Sequence, residues 1–234
     1  MQNLPVEGSN NLYLYDVHIH TSEVSFCGNV DAKTVVHMYK KAGYDGLVIT
    51  DHYTGDYFEA LRVGSWKDKI NEFLRGYRIA LQEGQKLGIN VLLGIELRFD
   101  ENWNDYLIYG IDENFLYENR YLYKMNIKTF RDYVQDTPVL IYQAHPFRVG
   151  IFPENPEYLD GIEVYNGNPR HDSRNEKAAE YAKHYNLKML SGSDFHQTED
   201  LARGGIVLSE APKDSIEFTR LLAGGHVNRL IRSD

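Results

Sequence analysis

Apolar positions along this chain fall into two alternating rhythms. Short runs that are continuously apolar or alternate with period two predict strands at residues 12–20, 46–50 (GLVIT), 90–97 (NVLLGIEL), 105–110 (DYLIYG), 138–142, 161–165 (GIEVY), 188–190 and 206–208. Between them, three- and four-residue spacing predicts helices. Asp31 is placed to cap one whose buried stripe is Val35, Val36, Tyr39 and Ala42, with Gly43 closing it. A long helix is predicted over 66–87, with Ile70, Phe73, Leu74, Tyr77 and Leu81 on one side and Gly88 as its stop. Further helices follow at 128–134, at 173–185 with Ala178, Ala179 and Ala182 buried, and at 214–222. Strand and helix alternate about seven times, which favours a parallel sheet with helices outside. Repeats, low-complexity tracts and domain-separating linkers are absent, so residues 1–234 fit a single domain.

Ionisable residues break the apolar pattern, and they do so at strand tips. Within 15–20 (YDVHIH), alternation sends Asp16, His18 and His20 to one face and Val17 and Ile19 to the other. Imidazoles two apart on a strand can share a first-row metal ion, although an isolated pair of this kind is as readily a chance one. It has companions. Asp51 and His52 end the next strand, His145 and Asn166 end later ones, and Asp194 with His196 follows the last of the series. Glu96 stands inside an apolar strand, where a carboxylate is costly unless a cation or donors meet it. In a parallel barrel these carboxyl ends share one face, and active sites are built there.

Five imidazoles, one glutamate and one aspartate on one rim exceed what a single four-coordinate zinc needs, which implies two or three divalent ions. Glu96 can bridge two cations about 3.5 to 4 Å apart, as in two-metal hydrolases. The mixture of imidazole and carboxylate suits Zn, Mn or Fe better than Ca or Mg. Such a centre activates water and neutralises a phosphoryl oxygen, so phosphoester hydrolysis is the natural chemistry.

Charge narrows the substrate. A formal net charge of −9 argues against a nucleic-acid footprint or an anionic membrane surface, since both need clustered Lys and Arg. A small phosphorylated metabolite fits better. The single cysteine, Cys27, cannot form an internal disulfide, which fits a reducing compartment. Residues 1–11 are polar with Pro5 and Gly8 and read as no leader, and no apolar run reaches membrane-spanning length; the chain reads as soluble and cytoplasmic.

In order along the chain, Asp16-Val17-His18-Ile19-His20, Thr50-Asp51-His52, Gly94-Ile95-Glu96, His145-Pro146 and Gly192-Ser193-Asp194-Phe195-His196 resemble the successive motifs of the PHP family, named for polymerase and histidinol phosphatase. The resemblance spans nearly the whole chain and implies a distorted (β/α)7 TIM-like barrel, a trinuclear metal site and phosphoesterase activity. Carried over by position, it implies that His18, His20, Glu96 and Asp194 hold one ion, Glu96 and His145 a second, and His52 with His196 a third. The chain departs from the pattern twice. Cys27 stands where many relatives carry Asp or His, and Asp105 stands where many carry His; a thiolate and a carboxylate can both bind zinc. Cys27 as an inert small hydrophobe is the alternative.

Phosphate needs donors besides metal. Arg98 and Arg148 follow strand ends and could clamp phosphate oxygens, with Arg170, Arg203 and His171 as weaker candidates; each is set against an ordinary solvated surface charge. Glu96, Asp194 and His196 are expected at the reacting centre. No separate nucleophile is evident, so attack by metal-bound hydroxide is expected. Asp51 and Asp16 read as acceptors that orient an imidazole. Asn166 reads as a partner for bound water or as a turn residue, and Tyr53, Tyr142 and Tyr165 as pocket walls. His37, His184 and His226 read as solvated. The leading expectation is a metal-dependent phosphomonoesterase acting on histidinol phosphate, a nucleotide or a sugar phosphate. A nuclease trimming nucleic-acid ends and a non-catalytic metal-binding domain are the alternatives.

Overall fold

The structure is a computed structural model and describes residues 11–233. The polar stretch at 1–10, with Pro5 and Gly8, lies outside them. Strand β1 (Tyr13–Ile19) leads through helix α1 (Ala32–Lys41) to β2 (Gly46–Ile49), which pairs with β1 in parallel. Asp31 caps α1 by accepting the Thr34 N–H at 3.0 Å, and Ala32, Val35, Val36 and Tyr39 form its buried face. After Thr50 and Asp51 the same strand resumes as β3 (His52–Tyr53). Helices α2 (Gly55–Ala60), α3 (Trp66–Phe73) and α4 (Arg75–Leu87) follow, then β4 (Asn90–Leu93) and β5 (Ile95–Arg98).

Two sequence expectations are corrected here. The helix predicted over 66–87 breaks at Leu74, whose N–H turns back to Ile70 and Glu72 carbonyls before α4 begins. Gly76 at the start of α4 is buried against the β1 tip, and the break sets the angle at which α4 reaches it. The strand predicted over 90–97 is likewise interrupted at Gly94. A Cβ there would crowd Thr50 and Val48 at 3.1 Å and the Ile108 carbonyl at 3.2 Å, so glycine lets the backbone pass without displacing its neighbours.

The chain continues through β6 (Asp105–Tyr109), α5 (Glu113–Glu118), α6 (Ile127–Val134), β7 (Leu140–Gln143), β8 (Gly161–Asn166), α7 (Asn175–Tyr185) and β9 (Lys188–Gly192). It ends with β10 (Gly204–Leu208), α8 (Ser215–Gly224) and β11 (Val227–Arg232). Counting β2 with β3 and β4 with β5 as one strand each, seven strands surround a common interior as a distorted barrel. A parallel bridge between Ile19 and Phe195 joins the first strand to the end of the seventh. At the opposite end β10 pairs antiparallel with β1 and with β11.

The sheet is mixed, where strand–helix alternation alone favours an all-parallel one. β6 runs antiparallel to both β5 and β7. Its first residue, Asp105, therefore lies on the same rim as the last residues of its neighbours. Below that rim the barrel interior is filled by Val17, Val48, Leu92, Leu107, Tyr109, Tyr142 and Leu190, while Tyr53, Phe58, Phe73 and Tyr123 form an aromatic layer between the outer strand faces and helices α2 and α3. Among the described residues no helix is long and apolar enough to cross a membrane.

Candidate metal centre

Barrel closure gathers side chains from distant parts of the sequence. His18 Nε2 lies 3.2 Å from Glu96 Oε1 and 3.5 Å from Asp194 Oδ1; His20 Nε2 lies 3.3 Å from Glu96 Oε2 and 3.5 Å from the same Asp194 oxygen. His145 Nε2 is 3.2 Å from Glu96 Oε1 and His52 Nδ1 is 2.7 Å from Glu96 Oε2. Glu96 is thus the hub, with four imidazoles around one carboxylate. Donor atoms of His20, His52 and His196 fall within 4.8 Å of one another, as do those of His18, His20 and Glu96 and those of His52, Glu96 and Asp105.

The surroundings fix how the imidazoles face. Glu163 Oε1 accepts from His18 Nδ1–H at 2.9 Å, which leaves His18 Nε2 turned toward Glu96 and Asp194. Ser25 Oγ sits 3.1 Å from His20 Nδ1 and donates to Asp51 Oδ1 at 2.8 Å, so Asp51 orients His20 through Ser25. Asp51 also accepts from Thr21 N–H and Thr21 Oγ1–H, both at 2.7 Å. His196 Nδ1–H donates to the Asp194 carbonyl at 2.9 Å. His145 and Asp194 have φ of 30° and 52°, left-handed values that cost non-glycine residues roughly 1–3 kcal/mol and cluster at functional sites. Glu163 Oε2 holds the first of these by accepting the His145 N–H at 3.0 Å.

Satisfaction of polar atoms tests whether cations fit. His18, His20 and Glu96 are fully buried, yet His18 Nε2, His20 Nε2 and Glu96 Oε2 have no hydrogen-bond partner. Electrostatics agree. Burial opposes a charge on His18, but Glu163, Asp194 and Glu96 outweigh it and hold its imidazole well above the ordinary range. Burial, His196 and His52 push His20 well below that range. Burial favours neutral Glu96, but His18 and His52 overcome it and hold its carboxyl well below the usual values; His18 and His20 do the same for Asp194. Ionised carboxylates facing a crowded, partly deprotonated imidazole group make a site that attracts positive charge, and this donor set fits divalent first-row ions.

The remaining candidates fall out as follows. Arg98 forms a two-pronged ion pair with Asp105, both contacts at 2.8 Å, so these two residues bind each other. Asp105 Oδ2 stands 3.9 Å from His145 Nε2. Arg148 Nη2 donates to Asp194 Oδ2 at 2.7 Å, to Asn166 Oδ1 at 3.1 Å and to Ser173 Oγ at 3.3 Å. Asn166 in turn donates to Glu163 at 2.9 Å. Arg170 pairs with Asp200 at the cleft edge, whereas Arg203 is turned away onto the Gly167 carbonyl. Cys27 is exposed beside His196 and His52; burial raises its thiol, but these two imidazoles lower it further, to about 6.

Other expectations are corrected. Asp16 orients no imidazole: it accepts from Tyr39 Oη–H at 2.7 Å, Ser193 N–H at 3.1 Å and His18 N–H at 3.3 Å, pinning two backbones together. Tyr53 and Tyr142 are core residues and Tyr165 bonds to Ser233, so none of the three walls the cleft. The expectation of solvated histidines holds: His37 and His184 are exposed and the His226 side chain is 42% exposed, with His37 also meeting Glu83 at 2.8 Å and His226 meeting Ser209 at 3.1 Å. Glu163, which the sequence reading does not single out, carries the same signal as Glu96, a carboxylate inside an apolar strand. A cleft of about 420 Å³ opens above the cluster, lined by Cys27, His52, Arg98, Arg148, His171 and His196 among others.

The PHP domain family model matches residues 16–203, from Asp16 at the first motif to beyond the last. The chain belongs to the PHP domain family. Solved structures of similar fold include a two-domain protein from Bacteroides vulgatus described as containing a predicted PHP-like metal-dependent phosphoesterase (TM-score 0.64, 18% identity, 91% of this chain and 63% of that one). PsfC from Pseudomonas syringae is similar at TM-score 0.63 and 17% identity over 90% of this chain and 88% of that one. An amidohydrolase from Chromobacterium violaceum, solved with bound sulfate and no metal, matches at TM-score 0.51 and 16% identity over 93% of this chain and 97% of that one. This PHP chain spans 63% of the length of the Bacteroides vulgatus protein. A search of the curated proteins finds no match. The PHP fold places the five motifs, from residue 16 to residue 196, on one rim.

Proposed function

We propose that this PHP domain is a metal-dependent hydrolase of a small phosphomonoester. The observation that carries the reading is the set of fully buried, mutually facing atoms without hydrogen-bond partners: His18 Nε2, His20 Nε2 and Glu96 Oε2. His18, His20, Glu96 and Asp194 would hold one divalent ion, Glu96 and His145 a second, and His52 with His196 a third. Zinc, manganese or iron bound there would supply Lewis-acid activation of water near neutral pH and charge neutralisation at phosphoryl oxygens.

The chain's own groups supply the rest. Arg148 is held rigidly by Asp194, Asn166 and Ser173 at the cleft wall, a fixed positive charge for a phosphate oxygen. Arg98 adds a second charge across the cleft, balanced by Asp105. His171, kept below the ordinary imidazole range by burial and by Arg148, is a neutral donor or acceptor beside the leaving group. A cleft of about 420 Å³ whose three arginines are each paired with an aspartate, in a chain of net charge −9, suits a phosphorylated metabolite better than a polymer. The nuclease reading lacks a basic groove to track a strand.

The test is a panel of phosphomonoesters offered to protein loaded with Mn, Zn or Fe, with and without chelator, and with His18→Ala as control. Turnover that chelator and His18→Ala both abolish is expected. Full metal loading with no turnover of any phosphoester would leave a metal-binding domain without this activity.

A further inference from the structure

We infer that the phosphomonoester of this site carries a flat, nitrogen-bearing aromatic ring on a spacer of several bonds, and that this ring stacks on Trp103 at the mouth of the cleft. The inference rests on the hydrolase reading above and names the leaving group.

Apolar side chains scattered singly in water are ordinary, but a group of them marks a binding surface. Among the described residues the four most exposed large apolar side chains are Phe26 and Val149 at 77%, Phe152 at 74% and Trp103 at 69%, and the next, Leu12, stands at 54%. All four lie on the loops after β1, β5 and β7, at the rim. Phe26 precedes Cys27, Val149 follows Arg148 and Trp103 lies two residues before Asp105, and these three neighbours all line the cleft. Phe152 N–H donates to Asn104 Oδ1 at 3.3 Å, which brings its loop against the one that carries Trp103. The loops after β8 and β9 give the cleft a polar wall instead, with Asn168, Arg170, His171 and Gln197.

The backbone fixes these side chains outward. Gln143, fully buried on β7, donates from Nε2 to the Phe152 carbonyl at 2.8 Å and accepts the Glu154 N–H at 2.8 Å. Asn102 Oδ1 accepts the Asn104 N–H at 2.9 Å, a turn with Trp103 at its apex. The Arg98 guanidinium lies over one face of the Trp103 ring, 5.3 Å from its centroid, and leaves the other face open. Asp105 balances the Arg98 charge, so guanidinium and indole together offer a flat surface to a flat partner.

Reach and charge narrow that partner. From the ion-facing His145 Nε2 the path to the indole runs through Asp105 at 3.9 Å, Arg98 at a further 2.8 Å and Trp103 at a further 5.3 Å. A ring bonded directly to the phosphate oxygen ends short of it, which calls for a spacer. Arg98 also borders a second groove, of about 430 Å³, lined by Trp103, Asp56, Asp100 and Glu101 among others. These carboxylates accept from the N–H groups of a ring and repel a second phosphate, so they select a nitrogen-bearing ring over a hydrocarbon and a monoester over a bisphosphate.

Discrimination between esters tests this. The metal-loaded chain is offered adenosine monophosphate, histidinol phosphate and ring-less glycerol phosphate. A ring-bearing ester is expected to have the higher kcat/KM. Trp103→Ala should cut its advantage over glycerol phosphate about tenfold or more, chiefly through KM, and Trp103→Phe should recover most of it. In parallel, the inert methylene phosphonate analogue of adenosine monophosphate should quench the tryptophan emission of the wild type saturably. Of the two tryptophans Trp66 is buried, so the quench reports Trp103. This arm needs no variant. Turnover of all three esters alike, without quenching, overturns the subsite and leaves the hydrolase reading intact. Saturable quenching without turnover of any ester supports the subsite and overturns the hydrolase reading. A concentration-dependent dimer that Trp103→Ala dissolves assigns the apolar rim to a second copy and overturns the inference.

Discussion

Glu163 serves three neighbours with one carboxylate: the His18 ring, the His145 backbone and the Asn166 amide that meets Arg148. An amide in its place keeps the shape but must set an NH2 group against another donor at one of these contacts. Glu163→Gln is therefore expected to weaken divalent-metal affinity roughly 10- to 100-fold with little loss of fold, measured by calorimetric titration. Unchanged affinity would remove Glu163 from the centre. Asp16 yields a pH prediction. Burial, against the hydrogen bonds from Ser193 and Tyr39, pushes its carboxyl up to about 6 from an ordinary 3.8. Between those values the native state keeps a proton that the unfolded chain has released, so this group's contribution to stability falls as pH rises through the window. Urea denaturation at about pH 4 and about pH 6.5 should show Asp16→Asn gaining on the wild type at the higher pH; parallel trends would contradict it.

Helix α4 touches the centre without contributing a ligand. Its Gly76 lies so close to the β1 tip that a Cβ would stand 2.1 Å from Thr21 Oγ1 and 3.0 Å from Asp51 Oδ2. Gly76→Ala must push apart the pair that orients His20 through Ser25, with an overpacking cost of about 1–3 kcal/mol. The expected result is a lower thermal midpoint together with weaker metal uptake; loss of stability alone would mean that Asp51 is not coupled to the centre. At this scale much was legible beforehand. Asp31 and Gly88 announce helix ends because capping chemistry is local, and Gly88 does adopt the left-handed conformation, φ 63°. The breaks at Leu74 and Gly94 were not, because a buried leucine continues a helical stripe and a glycine hides in an apolar run. Strand direction was not legible either, since alternation reads the same forwards and backwards, and so β6 reverses unannounced.

Across the whole molecule, folded chain alone presents the centre, so any divalent ion that binds it stabilises the native state by mass action. Metal at about a hundred times its dissociation constant adds about 2.7 kcal/mol, which for a domain of this size raises the melting temperature by roughly 5–10 °C. Scanning calorimetry with added zinc or manganese, against chelator, checks this; a midpoint that ignores metal would contradict it. The rim itself was legible in the sequence because His18, His20 and Glu96 interrupt apolar strands where burial is costly, and His145 and Asp194 stand just past strand ends. Which arginine meets which carboxylate was not, since Arg98 with Asp105 and Arg148 with Asp194 depend on side-chain directions across neighbouring strands. The Ile19–Phe195 bridge bears on how the protein is made. Both strands that flank β1 on that side, β9 and β10, leave the ribosome almost a full chain length after it, on the order of ten seconds or more at ordinary elongation rates. Throughout translation the first strand keeps one raw, apolar margin open to any sticky neighbour, and a chaperone that shields nascent Tyr13–Ile19 would raise the yield of native protein more than one acting after release.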